Sequence, residues 1–159
     1  MDISYLARRR KNIFSRWKLK KRSEIVYRTI KKYFDGKEDI KILDIGACDG
    51  AMLSYIKDRL AQAGCFGIEP VKDFVQANKD ERISLECGAV ENTSFSDNSF
   101  DAVVLSSVLE HIKNPQNVLS EVNRILQNGG KAVLLTVAPG YERLAVMLKI
   151  KKDDHYKNF

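Results

Sequence analysis

Cysteine, proline and histidine are all scarce here: 159 residues include three Cys, three Pro and two His. Cys48, Cys65 and Cys87 make no CxxC pair and are odd in number, which argues against a disulfide framework or a zinc knuckle. They read instead as small buried hydrophobes of a reducing cytosol, so a cytoplasmic location is expected. His111 and His155 are too few for a metal cluster, and no metal is expected. Long apolar runs are missing as well: Ala102–Leu105 and Ala132–Leu135 fall far short of the ~20 residues a membrane span needs. The N-terminus continues into Arg and Lys instead of an apolar core, so no secretory signal is expected. Internal repeats and low-complexity segments are also missing.

What is present is an ordinary globular composition, 44% hydrophobic and 30% charged. At this length one domain is expected, burying roughly two-thirds of the surface its unfolded chain exposes. The net charge of +6 is unevenly spread. Residues 1–37 hold 13 Lys/Arg against 3 Asp/Glu, a net of +10, while residues 38–159 hold 14 against 18, a net of −4. The chain therefore divides into a basic, partly helical arm (1–37) and a mildly acidic body (38–159). Leu6, Ile13, Phe14 and Trp17 punctuate the basic clusters of the arm and could share one helical face. Such a stretch suits an anionic membrane surface, a nucleic-acid backbone or an acidic partner. It would equally suit a solvated helix whose apolar stripe caps the domain.

Along the chain, Val26, Ile30, Tyr33 and Phe34 fall at helical spacing before a stop at Asp35-Gly36. Ile40–Gly46 is a compact β-rich run, the first strand. Leu53, Ile56 and Leu60 place a helical stripe on 51–63. Cys65–Glu69 is the second strand, followed after Pro70 by a helix with Val71, Phe74 and Val75. Ile83–Cys87 is the third strand and Phe100–Ser106 the fourth, apolar enough to be buried on both faces. Asn114-Pro115 signals a helix start, and Val118, Val122, Ile125 and Leu126 form its stripe. Asn128-Gly129-Gly130 breaks that helix before a fifth strand, Lys131–Val137, and a last helix is expected over 141–151. Alternating strands and helices predict βαβ units: an α/β, Rossmann-like three-layer sandwich with a mainly parallel sheet of about five strands. Ligands in such sheets bind beyond the carboxyl ends of the strands.

The first strand ends Asp44-Ile45-Gly46-Ala47-Cys48-Asp49-Gly50. A glycine-bearing turn lets a ligand approach the backbone. A dinucleotide fingerprint laid on Gly46 fails, because Cys48 and Ala51 stand where it needs glycine. Asp44 and Asp49 would also repel a pyrophosphate and suit a ligand carrying positive charge. Glu69, at the tip of the second strand, can accept from both hydroxyls of a ribose. The combination points to a cationic nucleoside with a free ribose and no phosphate, and S-adenosylmethionine fits that description.

ILDIGACDGAML resembles the first motif of class I S-adenosylmethionine-dependent methyltransferases. GIEP resembles their second-strand acidic motif, and SFSDNSFDAVVLSSVLEHIKNPQNVLSEVNRILQNGG the later signature of their small-molecule branch, type 11. The likeness covers roughly residues 38–140. It implies that Asp44, Gly46, Ala47, Cys48 and Gly50 line the methionine half of the cofactor. It implies further that Glu69 holds the ribose, with Pro70 beside the adenine and Gly88, Ala89 and Val90 edging that ring. Ser106 would face the cofactor near the transferred methyl. Glu91 stands near the place where the family often has an acid by the adenine. The family sheet normally continues into a C-terminal antiparallel hairpin. No β-like run is legible after Val137, so the sheet is expected to lack that hairpin and the family likeness to be shortened there. An uncovered fifth strand would then invite pairing.

Methyl transfer is an in-line displacement governed by orientation and charge placement, so no fixed triad is expected. For a hydroxyl acceptor, His111 is the candidate general base. Asp97 and Asp101 fit turn chemistry and a strand start better than catalysis. The expected function is methyl transfer to a small-molecule or lipid-linked acceptor. The alternatives are a catalytically incomplete cofactor-binding or interaction domain, and a nucleic-acid-associated protein acting through its basic arm. Neither the acceptor nor the oligomeric state is legible in these residues.

Overall fold

The structure is a computed structural model that describes residues 3–91 and 93–136 and the backbone of residues 145–148. Two N-terminal helices, α1 (Ile3–Lys11) and α2 (Ile13–Tyr33), precede β1 (Lys41–Ile45), α3 (Ala51–Lys57), β2 (Gly64–Glu69), α4 (Lys72–Gln76) and β3 (Ser84–Cys87). Then follow β4 (Phe100–Ser106), a short 3₁₀ turn (Leu109–His111), α5 (Pro115–Ile125), β5 (Leu126–Leu135) and β6 (Ala145–Leu148). The sheet order is β3-β2-β1-β4-β5-β6, with β1 to β5 parallel and β6 antiparallel to β5. Strand order reverses between β1 and β4. There the connecting segments leave toward opposite sides and open a crevice at the carboxyl ends.

Side-chain alternation along the strands builds two cores. Ile42, Ala102, Val104 and Val133 pack on one face with Val26 and Ile30 of α2 and Met52, Leu53 and Ile56 of α3. Leu43, Ile45, Val103, Leu105 and Ala132 face the other way, onto Val118, Val122 and Ile125 of α5. The period-2 pleat thus turns each near-continuous apolar run into two buried faces, and β4 is buried from Phe100 to Leu105. The C-terminal half of α2 belongs to this sandwich.

Three local expectations change. Leu6 does not share a helical face with Ile13, Phe14 and Trp17. The chain breaks at Asn12, whose side chain accepts from the Ser15 N–H as the N-cap of α2. Leu6 is buried, whereas Ile13, Phe14 and Trp17 are 81%, 60% and 48% exposed. Asn128-Gly129-Gly130 is not a break between helix and strand. Leu126 already pairs with Phe100, pairing resumes at Lys131 opposite Ala102, and the residues between bulge outward with Gly129 at φ 80°.

The helix expected over 141–151 is corrected at Ala145–Leu148, which are a strand pairing with Leu135–Ala132; its remaining positions lie outside the described residues. Four apolar residues carry no period that separates helix from strand, and the free edge of β5 supplies the partner. The parallel five-strand sheet is as expected, and it continues into an antiparallel strand where none was expected.

Candidate functional site

A cleft of about 630 Å³ opens at the strand-order reversal. That is within the roughly 300–1,000 Å³ usual for small-molecule sites. Its floor is the turn after β1. Gly46 and Ala47 both donate backbone N–H to the Ile68 carbonyl, at 2.8 and 3.2 Å, stitching that turn onto β2. Gly46 adopts φ 72°, and a Cβ there would stand 2.7 Å from Val108 Cγ2, so only glycine fits.

Glu69 holds the turn from the neighbouring strand tip. Its Oε2 accepts from the Cys48 N–H at 3.0 Å and its Oε1 from the Val71 N–H at 2.9 Å. Each carboxylate oxygen has two acceptor positions, so one on each oxygen stays open to the cleft. Asp44, buried beside it, accepts from no group of the described residues. Burial, with the Glu69 carboxylate second, pushes the Asp44 carboxyl up to about 8. A buried acid without a donor is what an incoming cation or hydroxyl would satisfy.

Asp49 does not act with Asp44 on the ligand side. Its carboxylate is held by the guanidinium of Arg9 and, at 2.9 Å, by that of Arg10, both from α1. Burial alone would raise the Asp49 carboxyl, but the two arginines outweigh it and hold it below the usual range. The acid pair facing the cleft is Asp44 and Glu69, because Asp49 points back toward the N-terminal helix.

The remaining expected residues mostly converge. Ala47, Cys48, Pro70, Gly88, Ala89 and Val90 line the cleft, as do Ser106, Glu91 and His111. Gly50 does not. It caps α3 at φ 74°, and a Cβ there would collide with Ile83 of the approach to β3, so its glycine serves packing. Cys48 is half-buried in the left-handed region at φ 55°, and burial pushes its thiol up to about 11. The reading of all three cysteines as buried hydrophobes holds for Cys65 alone, since Cys87 is exposed. Asp101 is structural, accepting from Lys37 Nζ at 2.7 Å, the Lys41 N–H at 2.9 Å and Gln127 Nε2 at 2.6 Å. Asp97 pairs with Arg124 at 2.6 Å, in the turn ahead of β4.

Four cleft residues come from the basic arm: Tyr5, Arg9, Leu19 and Arg22. Local patterning could not find them, since charge density along a segment does not say which cation turns inward. Arg22 is half-buried and unpaired among the described residues.

The methyltransferase domain family matches residues 43–134, more than half of the chain. The chain belongs to the class I S-adenosylmethionine-dependent methyltransferases. Among its relatives, the ubiquinone biosynthesis O-methyltransferase of Xanthomonas oryzae is 33% identical over 140 residues, covering 75% of this chain and 56% of that protein. The demethylmenaquinone methyltransferase of Corynebacterium glutamicum is 34% identical over 104 residues, covering 65% and 43%. A solved phosphoethanolamine N-methyltransferase 2 of Haemonchus contortus, in complex with S-adenosyl-L-methionine, superposes with a TM-score of 0.61 at 23% identity, over 67% of this chain and 26% of that one. It shows a shared fold. The chain spans between 20% and 56% of the length of the curated relatives it matches.

Proposed function

We propose that this chain transfers a methyl group from S-adenosylmethionine to a small or lipid-linked acceptor. The observation that carries the reading is the buried pair Asp44 and Glu69 at adjacent strand tips, with Asp44 lacking a donor among the described residues. The cofactor would supply an electrophilic methyl on a sulfonium, and the chain supplies orientation and charge. Glu69 keeps an acceptor position on each oxygen for a ribose hydroxyl. Asp44 offers a carboxyl to the cationic methionine half, along the backbone of Gly46, Ala47 and Cys48. Arg22, unpaired among the described residues, is a cation available to that half's carboxylate. Pro70, Gly88, Ala89 and Val90 form the adenine wall, and Ser106 lies toward the methyl. His111 takes the proton when the acceptor is a hydroxyl. The quinone-pathway names of the relatives favour a quinone-type acceptor.

Calorimetry with S-adenosylmethionine and S-adenosylhomocysteine tests this directly. Both should bind, and Glu69→Gln, which removes the charge but keeps an acceptor, should weaken them at least tenfold, as loss of hydrogen bonds to a charged group does. Absence of heat for the parent chain, or equal affinity in the variant, overturns the reading.

A further inference from the structure

The N-terminal part of α2 carries an apolar face that no described residue covers. Ile13, Phe14 and Trp17 lie on one side at helical spacing and are 81%, 60% and 48% exposed. The same side continues into Lys20 and Lys21, and Arg16 borders it, all three exposed. From residue 3 to residue 23 there are nine Lys/Arg and no acid. Among the described residues no helix is long and apolar enough to cross a membrane. An apolar stripe flanked only by cations belongs instead to a helix lying in a membrane interface.

We infer that this face docks on an anionic lipid bilayer, with Ile13, Phe14 and Trp17 entering the headgroup boundary and the flanking cations meeting acidic headgroups. Charge complementarity selects that occupant. A second copy of the chain would bring its own nine cations against the first. A nucleic-acid backbone would meet the cations but leave Ile13, Phe14 and Trp17 in water, and a single strand would need open ring faces to cover them. Here Phe14 and Trp17 stack on each other at 5.9 Å between centroids, Lys18 Nζ sits 4.4 Å over Phe14, and Lys21 Nζ 5.9 Å over Trp17. Ile13, the most exposed of the three, offers a base nothing.

Leu19 and Arg22 of the same helix line the cleft; at about 100° per residue they lie on the side of α2 away from Trp17, so the bilayer contact does not cover them. The contact does not rest on the methyl-transfer reading. Vesicle binding and cofactor calorimetry can fail independently.

Trp17 is the chain's single tryptophan, so the full-length protein reports on itself. With extruded phosphatidylcholine vesicles containing phosphatidylglycerol, its emission should shift to the blue and the protein should co-sediment, more weakly as salt rises. Pure phosphatidylcholine vesicles should produce much less of both. The double variant Ile13→Ser, Phe14→Ser should lower partitioning about tenfold or more, and Arg16→Gln or Lys20→Gln about fivefold each. These positions are exposed, so folding is not at stake. An unshifted Trp17, equal binding to neutral vesicles, or variants that bind as the parent does would each overturn the inference. So would an oligouridylate that quenches Trp17 and displaces the vesicles; an oligouridylate that does neither supports it.

Discussion

Asp44 is the residue at which burial and charge compete most openly. Its carboxyl stays protonated up to about pH 8 in the folded chain, against an ordinary value near 3.8, because burial disfavours the anion and Glu69 adds repulsion. The folded state therefore holds a proton that the unfolded state has released. Stability contributed this way is present below the ordinary value and is lost as pH rises from about 4 to about 8. Asp44→Asn has no such proton to lose. Relative to the parent, it should gain on the order of 1 kcal/mol or more between pH 5 and pH 9, read as a diverging pair of melting curves. Parallel pH dependence would mean that Asp44 is ionised and solvated. The same variant should bind S-adenosylmethionine more weakly, since a carboxylate-to-be is what the cation meets.

At the scale of elements, α1 is tied down mainly by one acid. Arg9 and Arg10 grip Asp49, Arg10 also reaches the Ala77 carbonyl at 3.2 Å, and Tyr5 lies 6.1 Å from the Phe74 ring. Among the described side chains of α1, Leu6 alone is buried. Asp49→Asn removes the charge that both guanidiniums share. Amide exchange in residues 4–11 should then accelerate about tenfold or more, while β1 and β4 keep their protection. Uniform acceleration across the sheet would show that Asp49 supports the whole fold. The legibility of α1 differs from that of the sheet strands. Its helical propensity and basic character stand in the local sequence, yet its seat does not. Asp49 and Arg9 are forty positions apart, and nothing in the spacing around either residue names the other.

For the whole molecule, a tight constraint lies where β2 passes under the turn after β1. A Cβ on Gly67 would stand 2.5 Å from Leu85 Cδ2 and 2.6 Å from Ala47 Cβ. Gly67→Ala should cost about 1–3 kcal/mol through overpacking and lower Tm by roughly 3–10 °C. An unchanged Tm would mean that β3 and the turn can separate freely. Read locally, Gly67 is one residue of a short strand; its necessity comes from three elements meeting at one point. The β-rich runs, the buried helix stripes and the acids at the ends of β1 and β2 follow from neighbouring residues alone, since strand and helix periods are local and strand tips in a parallel sheet share one end. Tertiary packing alone decided the rest. It turned Asp49 toward α1 and left Asp44 without a donor among the described residues. It brought Arg22 into the cleft, bulged β5 at Gly129 and laid β6 along its free edge. Those outcomes depend on which distant groups share a desolvated space, and a one-dimensional pattern does not encode that distance.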